Sequence, residues 1–427
     1  MVHRPFLSGR VPKILLHDPV FPVRILIYGL NFAPELTGIG KYTGEMAAFL
    51  AEEGHEVHVI TTPPYYPQWR IASGYSGFRY KKENWRGVTV YRCPLWVPAR
   101  VNGPRRILYL ASFALSSLPV ALAQTCWRPE RVVAIIPAIS SAPAAAMVAR
   151  LVRGKSWLHI QDFELDAAIR LGMLPGLGPL YRLAQVVEGA IYRRFDRVST
   201  ISNRMLEYLK RKGVPSEHIT LFPNWVDTRQ IFPICGYNEL RRELKIKGDC
   251  QVILYSGAMG QKQGLEVVVN AARLLANEND ILFLLCGEGS ARSQLEALAN
   301  GLPNVRFLPL QPFERLNELL NLASIHILPQ SSGAADLVMP SKLSGILASG
   351  RPVIVTARSG TELADVIEPL GRVIPPESPE SLAESILDLA RHPDLRVELG
   401  RRGQAYVERT WAKQIVLEDF LQSLQSL

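Results

Sequence analysis

Apolar, β-branched runs recur along the chain, separated by stretches with helical spacing. Val23–Tyr28 (VRILIY), closed by Gly29, is the first, and Glu56–Thr61 (EVHVIT) is the next. Between them Glu45–Glu53 has the period of a short helix ended by Gly54. A continuous apolar run bounded by turn residues predicts a strand covered on both faces. Strand, helix, strand in succession predicts a parallel pair. Val88–Arg92, Val132–Ile136, Trp157–Ile160 and Val198–Ile201 extend the series. The pattern restarts at Val252–Ser256, with a helix over Glu266–Ala276 and strands at Ile281–Cys286, Val305–Leu308, Ile325–Leu328, Pro352–Thr356 and Arg372–Ile374. Two such series predict an α/β protein of two Rossmann-like, doubly wound parallel-sheet domains. The turn-rich stretch Pro223–Pro233 marks the break. The expected organisation is an irregular extension over 1–22, a first domain over 23–225 and a second over 226–405, with an apolar-periodic segment over 406–427.

One segment departs from this pattern. Ile107–Ala123 is uncharged for 17 residues, near the minimum for a membrane-spanning helix. Three serines and Pro119 dilute it, which disfavours a span. A buried core helix and a helix lying in a membrane interface, with Arg105 and Arg106 on headgroups, both remain open. Upstream, Arg79, Lys81, Lys82 and Arg86 interleave with Phe78, Tyr80 and Trp85, a basic-aromatic patch of the kind found at interfaces.

Composition narrows the class. Of 427 residues, 48% are hydrophobic and 20% charged, so a core can be buried and disorder is excluded. The net charge of +9 is unevenly spread. Residues 1–225 carry 28 Lys/Arg against 15 Asp/Glu, and residues 226–427 carry 20 against 24. This asymmetry suggests a first half facing an anionic partner (a membrane, a phosphorylated substrate or a nucleic acid), a solvated basic surface being the alternative. No RRM, KH or zinc-finger pattern is present, so nucleic acid is not expected. The five cysteines form no C-x-x-C, which predicts neither a disulfide framework nor a zinc site and fits a reducing compartment. The first 22 residues lack the apolar run of a secretory signal.

Candidate chemistry sits in glycine-bearing loops after predicted strands. Gly38 and Gly40 precede Lys41, and such glycines let backbone N–H groups approach an anion at a helix N-terminus. Gly257, Gly260 and Gly264 surround Lys262, placed to hold a phosphate beyond a strand end. Gly287 and Gly289 follow a third strand without completing a dinucleotide fingerprint. In Asp336–Thr356, Pro340 and Ser341 suit a helix start. Lys342 is a first-turn cation that an anionic ligand would offset. No D-x-D triplet occurs, so no metal-bridged diphosphate is expected. The nearest pattern, DFELD, carries Asp162, Glu164 and Asp166. Asp162 is read either as a catalytic-site residue that orients an acceptor hydroxyl or the donor sugar, or as a helix N-cap. His55, His159 and His326 read as packed or surface imidazoles.

From about Arg24 onward the chain resembles the family 4 retaining glycosyltransferases of GT-B fold. The resemblance rests on TGIGKYTGEMAAFLAEEGHEVHVIT, PNWVD, YSGAMGQKQGLE, CGEGS and PSKLSGILASGRPVIV in that order. HIQDFELDAAIRLGML and the PSK form of the late motif resemble the bacterial exopolysaccharide branch, with its colanic-acid fucosyltransferase-like and O-antigen N-acetylfucosamine transferases. The resemblance implies transfer of a hexose, L-fucose from GDP-fucose being one candidate, with retention of configuration and without a metal or other cofactor. It implies a GDP- or UDP-linked nucleotide-sugar against the second domain and a lipid-linked acceptor, an undecaprenyl-diphosphate sugar, against the first. The site would then be a peripheral one, cytoplasmic, on the inner face of the plasma membrane. It also implies that the C-terminal helix crosses back to the first domain.

By position, Lys262 and backbone N–H groups around Leu337 and Val338 would hold the diphosphate, and Gly38–Gly40 would approach it from across the cleft. The family's Glu-x7-Glu pair reads Leu337 and Gly345 here, with Asp336 the nearest carboxylate. An Arg common in the Lys262 loop reads Ala258, and the first-domain His reads Gln161. Lys262 and Lys342 are therefore the electrostatic candidates for the leaving diphosphate. A sugar-nucleotide 2-epimerase and a non-catalytic sugar-nucleotide-binding protein are the alternatives.

Overall fold

The computed structural model describes residues 21–35, 38–98, 103–136, 139–163, 178–236, 238–260, 263–331 and 339–427. Its first sheet has eight strands: β1 (Arg24–Gly29), β2 (Glu56–Thr61), β3 (Lys81–Trp85), β4 (Val88–Arg92), β5 (Arg131–Ile136), β6 (Lys155–Ile160), β7 (Arg197–Thr200) and β8 (Ile219–Leu221). They lie in the order β3-β4-β2-β1-β5-β6-β7-β8. Every pair is parallel except β3 with β4. Around it are helices α1 (Gly38–Glu52), α2 (Gly103–Trp127), α3 (Ala142–Val152), α4 (Gly178–Tyr192) and α5 (Asn203–Arg211).

The second sheet is wholly parallel: β9 (Gln251–Ser256), β10 (Ile281–Cys286), β11 (Val305–Leu308), β12 (Ile325–Leu328), β13 (Val353–Thr356) and β14 (Arg372–Ile374), in the order β11-β10-β9-β12-β13-β14. Its helices are α6 (Glu239–Glu243), α7 (Glu266–Leu274), α8 (Arg292–Leu298), α9 (Leu316–Leu322), α10 (Lys342–Ala348), α11 (Glu362–Ile367), α12 (Pro379–Arg391) and α13 (Pro393–Thr410), and α14 (Lys413–Gln425) ends the chain.

The strands are apolar throughout because both faces of each sheet are covered. On one face of the first sheet Tyr28, Leu158 and Val198 pack with Phe113, Tyr192 and Met205. On the other, Ile27 and Trp157 meet Met46 of α1 and Leu417 and Phe420 of α14. The last helix is therefore part of the first sheet's core. Phe420 stacks on Phe222 at 4.4 Å and meets Trp157 edge-on at 4.9 Å. The crossing between sheets is pinned at the same place. The Val226 amide donates to the Trp411 carbonyl at 2.9 Å, and the Lys413 amide returns a bond to Val226 at 2.9 Å. The Trp225 indole donates to Glu45 of α1 at 2.7 Å.

Three elements differ from the sequence pattern. The first helix begins at Gly38 rather than at Glu45. Gly40 and Gly44 let it pack against residues 32–35, so tertiary contact overrides the poor helix propensity of TGIGKYTG. The polar run KKENW forms an edge strand whose exposed lysines guard an unpaired edge. The three-residue β8 is too short to leave a periodic signal. Truncating the ring that joins the last helix to the sheet, Phe420→Ala, should cost about 3–5 kcal/mol. Urea denaturation should show this as a lower midpoint, and an unchanged midpoint would mean that α14 is not docked.

Candidate active site

The carboxyl ends of β9 and β10 form the floor of a cleft between the two sheets. Their loops interlock through backbone bonds: Gly257 N–H to the Cys286 carbonyl at 2.8 Å, Met259 N–H to Glu288 at 2.8 Å, and Ala291 N–H back to Met259 at 2.9 Å. Gly287 and Gly289 sit where a Cβ would overlap the Gly257 and Met259 carbonyls. In the structure these two glycines knit the floor.

Lys342 stands over this floor from the first turn of α10. Its ammonium lies against Gly257, occupying the space a Cβ there would fill, and Gly257 has a φ of 137° that side chains rarely adopt. The same ammonium donates to the Tyr255 hydroxyl at 3.0 Å and lies 4.6 Å from that ring's centre. The Tyr255 hydroxyl in turn donates to the Ala258 carbonyl at 2.5 Å. Among the described residues no carboxylate pairs with Lys342. Burial alone lowers its pKa to about 8. Where the resemblance would put an Arg and the chain has Ala258, a cation thus comes from a different element. Ser341, at the start of α10, is exposed and makes no side-chain capping bond, unlike the helix start that its sequence suggests. Pro340 precedes it. Beside Lys342 and Gly257 lies a cavity of about 200 Å³, lined also by Gly345 and Gln311 of the second domain and by Lys41 and Tyr42 of the first.

The first domain faces this cavity with less charge than its net balance suggests. Gly40 packs closely on Glu35, and a Cβ there would lie 2.5 Å from a carboxylate oxygen of that residue. Glu35 accepts from Asn31 Nδ2 at 2.9 Å and from the Tyr65 and Tyr66 amides at 3.1 Å each. Burial raises its pKa against these bonds. Gly38 is exposed at the helix start. At the end of β6, Gln161 Nε2 donates to His159 Nε2 at 2.8 Å and to Asn224 Oδ1 at 3.1 Å. His159 is completed by Ser199 Oγ at 2.9 Å, and burial pushes its pKa down to about 3, so it holds Gln161 as a neutral imidazole. Asp162 follows directly. The helix it would cap near Glu164, like Asp166, Lys262, Asp336, Leu337 and Val338, lies outside the described residues.

Direct bonds cross the cleft. Glu362, at the start of α11, accepts from the Asn203 and Arg204 amides of α5 at 2.7 and 2.8 Å. Arg204 donates to the Gly360 carbonyl at 2.6 Å. Lys41 lies 5.6 Å from the ring centre of Phe313. Sequence reading missed Tyr255, Glu35, Asn224 and Glu362, because each acts through a partner far along the chain.

The basic-aromatic patch proves divided. Lys81 pairs with Glu83 and Arg86 with Glu52, both at 2.9 Å, and Trp85 turns inward onto Phe32. Lys82 lies over Tyr91, and Arg79 is exposed beside Phe78 and Tyr80. Arg105 and Arg106 lie in the first turn of α2. His55 and His326 are buried and hydrogen-bonded, to the Val23 amide and the Leu320 carbonyl. Among the described residues no group of three His, Cys, Asp or Glu is placed to hold a metal ion.

Two facing Rossmann-like sheets, with a cavity at the strand ends between them, define the GT-B fold. Residues 37–225 match a glycosyl transferase 4-like domain and residues 237–406 the glycosyl transferases group 1 family, and the chain belongs to these glycosyltransferases. It is 41% identical over 416 residues to the colanic acid biosynthesis glycosyl transferase WcaI of Escherichia coli K12, covering 94% of this chain and all of that protein. Among solved structures it is similar to a sucrose-phosphate synthase of Thermosynechococcus elongatus, with a TM-score of 0.71 and 16% identity over 95% of this chain and 98% of that one. Anabaena Alr3699/HepE in complex with UDP gives 0.67 and 14%, over 95% and 100%.

Lys342→Ala removes the ammonium, and Gly257→Ala puts a methyl in its place. Losing one charge-assisted contact costs about 1.5–3 kcal/mol, so each variant should bind UDP or GDP about 10- to 100-fold more weakly in titration calorimetry. Unchanged affinity in both would remove Lys342 from the site.

Proposed function

We propose that this glycosyltransferase moves a hexose from a GDP- or UDP-linked sugar to an undecaprenyl-diphosphate-linked oligosaccharide in assembly of a colanic-acid-like surface polysaccharide. The observation that carries this reading is the partly buried ammonium of Lys342, without a carboxylate partner among the described residues, at the edge of the interdomain cavity. The similarity to WcaI along all of that protein supports the pathway, and the UDP complex of Alr3699/HepE supports a nucleotide-bearing donor. L-fucose from GDP-fucose is one hexose compatible with the exopolysaccharide branch.

Departure of the nucleoside diphosphate builds negative charge on phosphate oxygens. A fixed ammonium beside that position lowers the barrier by stabilising the charge as it forms. In this reading Lys342 supplies that charge together with Lys262 and the backbone around Leu337 and Val338. Transfer is retaining and needs no metal. The sugar C1–O bond to phosphate breaks while the acceptor hydroxyl attacks from the same face, its proton passing to the leaving phosphate oxygen. In the same reading Gln161, held by His159 and Asn224, borders the donor sugar, and Asp162 orients the acceptor hydroxyl or that sugar. Pro340, Ser341 and Asp336 border the donor. The reaction takes place at the cytoplasmic face of the plasma membrane. The relatives reported above give no support to epimerisation.

The test is nucleoside diphosphate release from GDP-fucose, UDP-glucose and other nucleotide-sugars, with and without lipid-linked oligosaccharide. Release that requires acceptor, with sugar recovered in the lipid fraction, is expected for one donor. Epimerised donor appearing without acceptor, or no turnover with any donor, would overturn the proposal.

A further inference from the structure

Helix α2 is apolar on two opposite faces, and the first sheet accounts for only one of them. Tyr109, Phe113, Ser117 and Ala121 point into the core, where Phe113 packs edge-on against Tyr28 and the Ser117 hydroxyl bonds the Tyr28 hydroxyl. On the other side Leu108, Leu115 and Leu122, spaced seven apart and hence on one stripe, are 60%, 72% and 42% exposed. Ile107 adds to this stripe at the same end. Two aromatic residues are tied to its flank. The Tyr80 hydroxyl donates to the Ser116 carbonyl at 2.8 Å, and the Trp96 amide donates to Ser112 Oγ at 3.1 Å. Phe78 stands exposed beside Tyr80. On the same side of the sheet α4 exposes Leu183, Val186 and Val187.

Positive charge predominates around this surface. Between Gly103 and Gln161 the only carboxylate is Glu130, which pairs with Arg24, against seven Lys and Arg. The carboxylate of α4, Glu188, is buried and bonded to Tyr192 and Lys212. Arg105 and Arg106 lie at the cleft end of α2, because the helix follows β4 and runs back against the strands. Exposed Arg150, Arg153, Arg193 and Arg194 lie at the opposite end of the helical layer.

We propose that α2 and the exposed face of α4 lie in the plane of an anionic lipid bilayer, leucines and valines among the acyl chains and arginines on headgroup phosphates. A helix apolar all round needs an apolar environment all round. A span across the bilayer is ruled out by Phe113, Ser117 and Ala121, which could leave the core only by unfolding the domain. A rim in which arginines outnumber carboxylates fits anionic lipid, and apolar area and lipid charge add in such binding. The cleft end of α2 then sits at headgroup level, where a lipid-linked diphosphate would present itself. This deepens the lipid-linked acceptor of the proposed function. It is tested without donor or acceptor, so its failure would leave glycosyl transfer standing.

The full chain is sedimented with vesicles of phosphatidylcholine alone or with 30% phosphatidylglycerol, ~30% being a content chosen to give a strongly anionic surface. Wild type should pellet with the anionic vesicles and be released by salt. Leu115→Asp/Leu122→Asp should partition about 10-fold less or weaker still. Val397→Asp, at an exposed position of α13, is the matched control and should behave as wild type. Thermal melts check that the variants are folded. Equal partitioning of wild type and the double variant, salt-insensitive binding, or no binding would overturn the proposal. So would a dimer in light scattering that the double variant abolishes, since the face would then join two copies of the chain.

Discussion

An ammonium withdrawn from water without a counter-ion is costly, and the fold bears that cost at Lys342. The side chain is held by the Tyr255 hydroxyl and ring and by the space that Gly257 leaves open. None of these neutralises it, and its lowered pKa measures the penalty. An anion arriving in the adjoining cavity would relieve it. Much of the second domain's loop geometry can be understood as serving this position. The β9 and β10 loops interlock through backbone bonds, which fixes Gly257. Residues Pro340 and Ser341 then bring α10 in so that its first side chain reaches back over the floor.

The first domain is built to approach that ammonium and to be held near it. The linker, α1 and the start of α14 share one junction through Trp225, Glu45, Val226 and Lys413. On the far side of the cleft Glu362 accepts from two backbone amides at the start of α5. The cavity between these two attachments therefore has walls from both domains. A donor held by one wall and an acceptor held by the other would meet there, with water excluded as the walls close.

The sequence was most legible where physics is local. The strands of both sheets stand out as apolar runs because parallel sheets are covered on both faces, and Lys342 stands out as a cation in a helix's first turn. Reach across the chain was not legible. Gly287 and Gly289 stand out as glycines after a strand, but the sequence does not show that the Gly257 and Met259 carbonyls occupy the space their side chains would need. Nor does it show that Gly40 packs against Glu35. The pairing of Lys81 and Arg86 with Glu83 and Glu52 is not shown by the sequence either. The apolar segment at Ile107–Ala123 left core and interface readings open because composition does not tell which faces a sheet will cover.

The central claim is that the donor's diphosphate meets the Lys342 ammonium, and proton linkage tests it most directly. At pH 8.5 a lysine of pKa about 8 is largely neutral, and a bound diphosphate draws it back to the charged form. Titration calorimetry of UDP and GDP at that pH, in buffers of different ionisation enthalpy, should therefore show proton uptake on binding. Lys342→Met should bind more weakly and take up none. Binding without proton uptake, or uptake unchanged in Lys342→Met, would contradict the account.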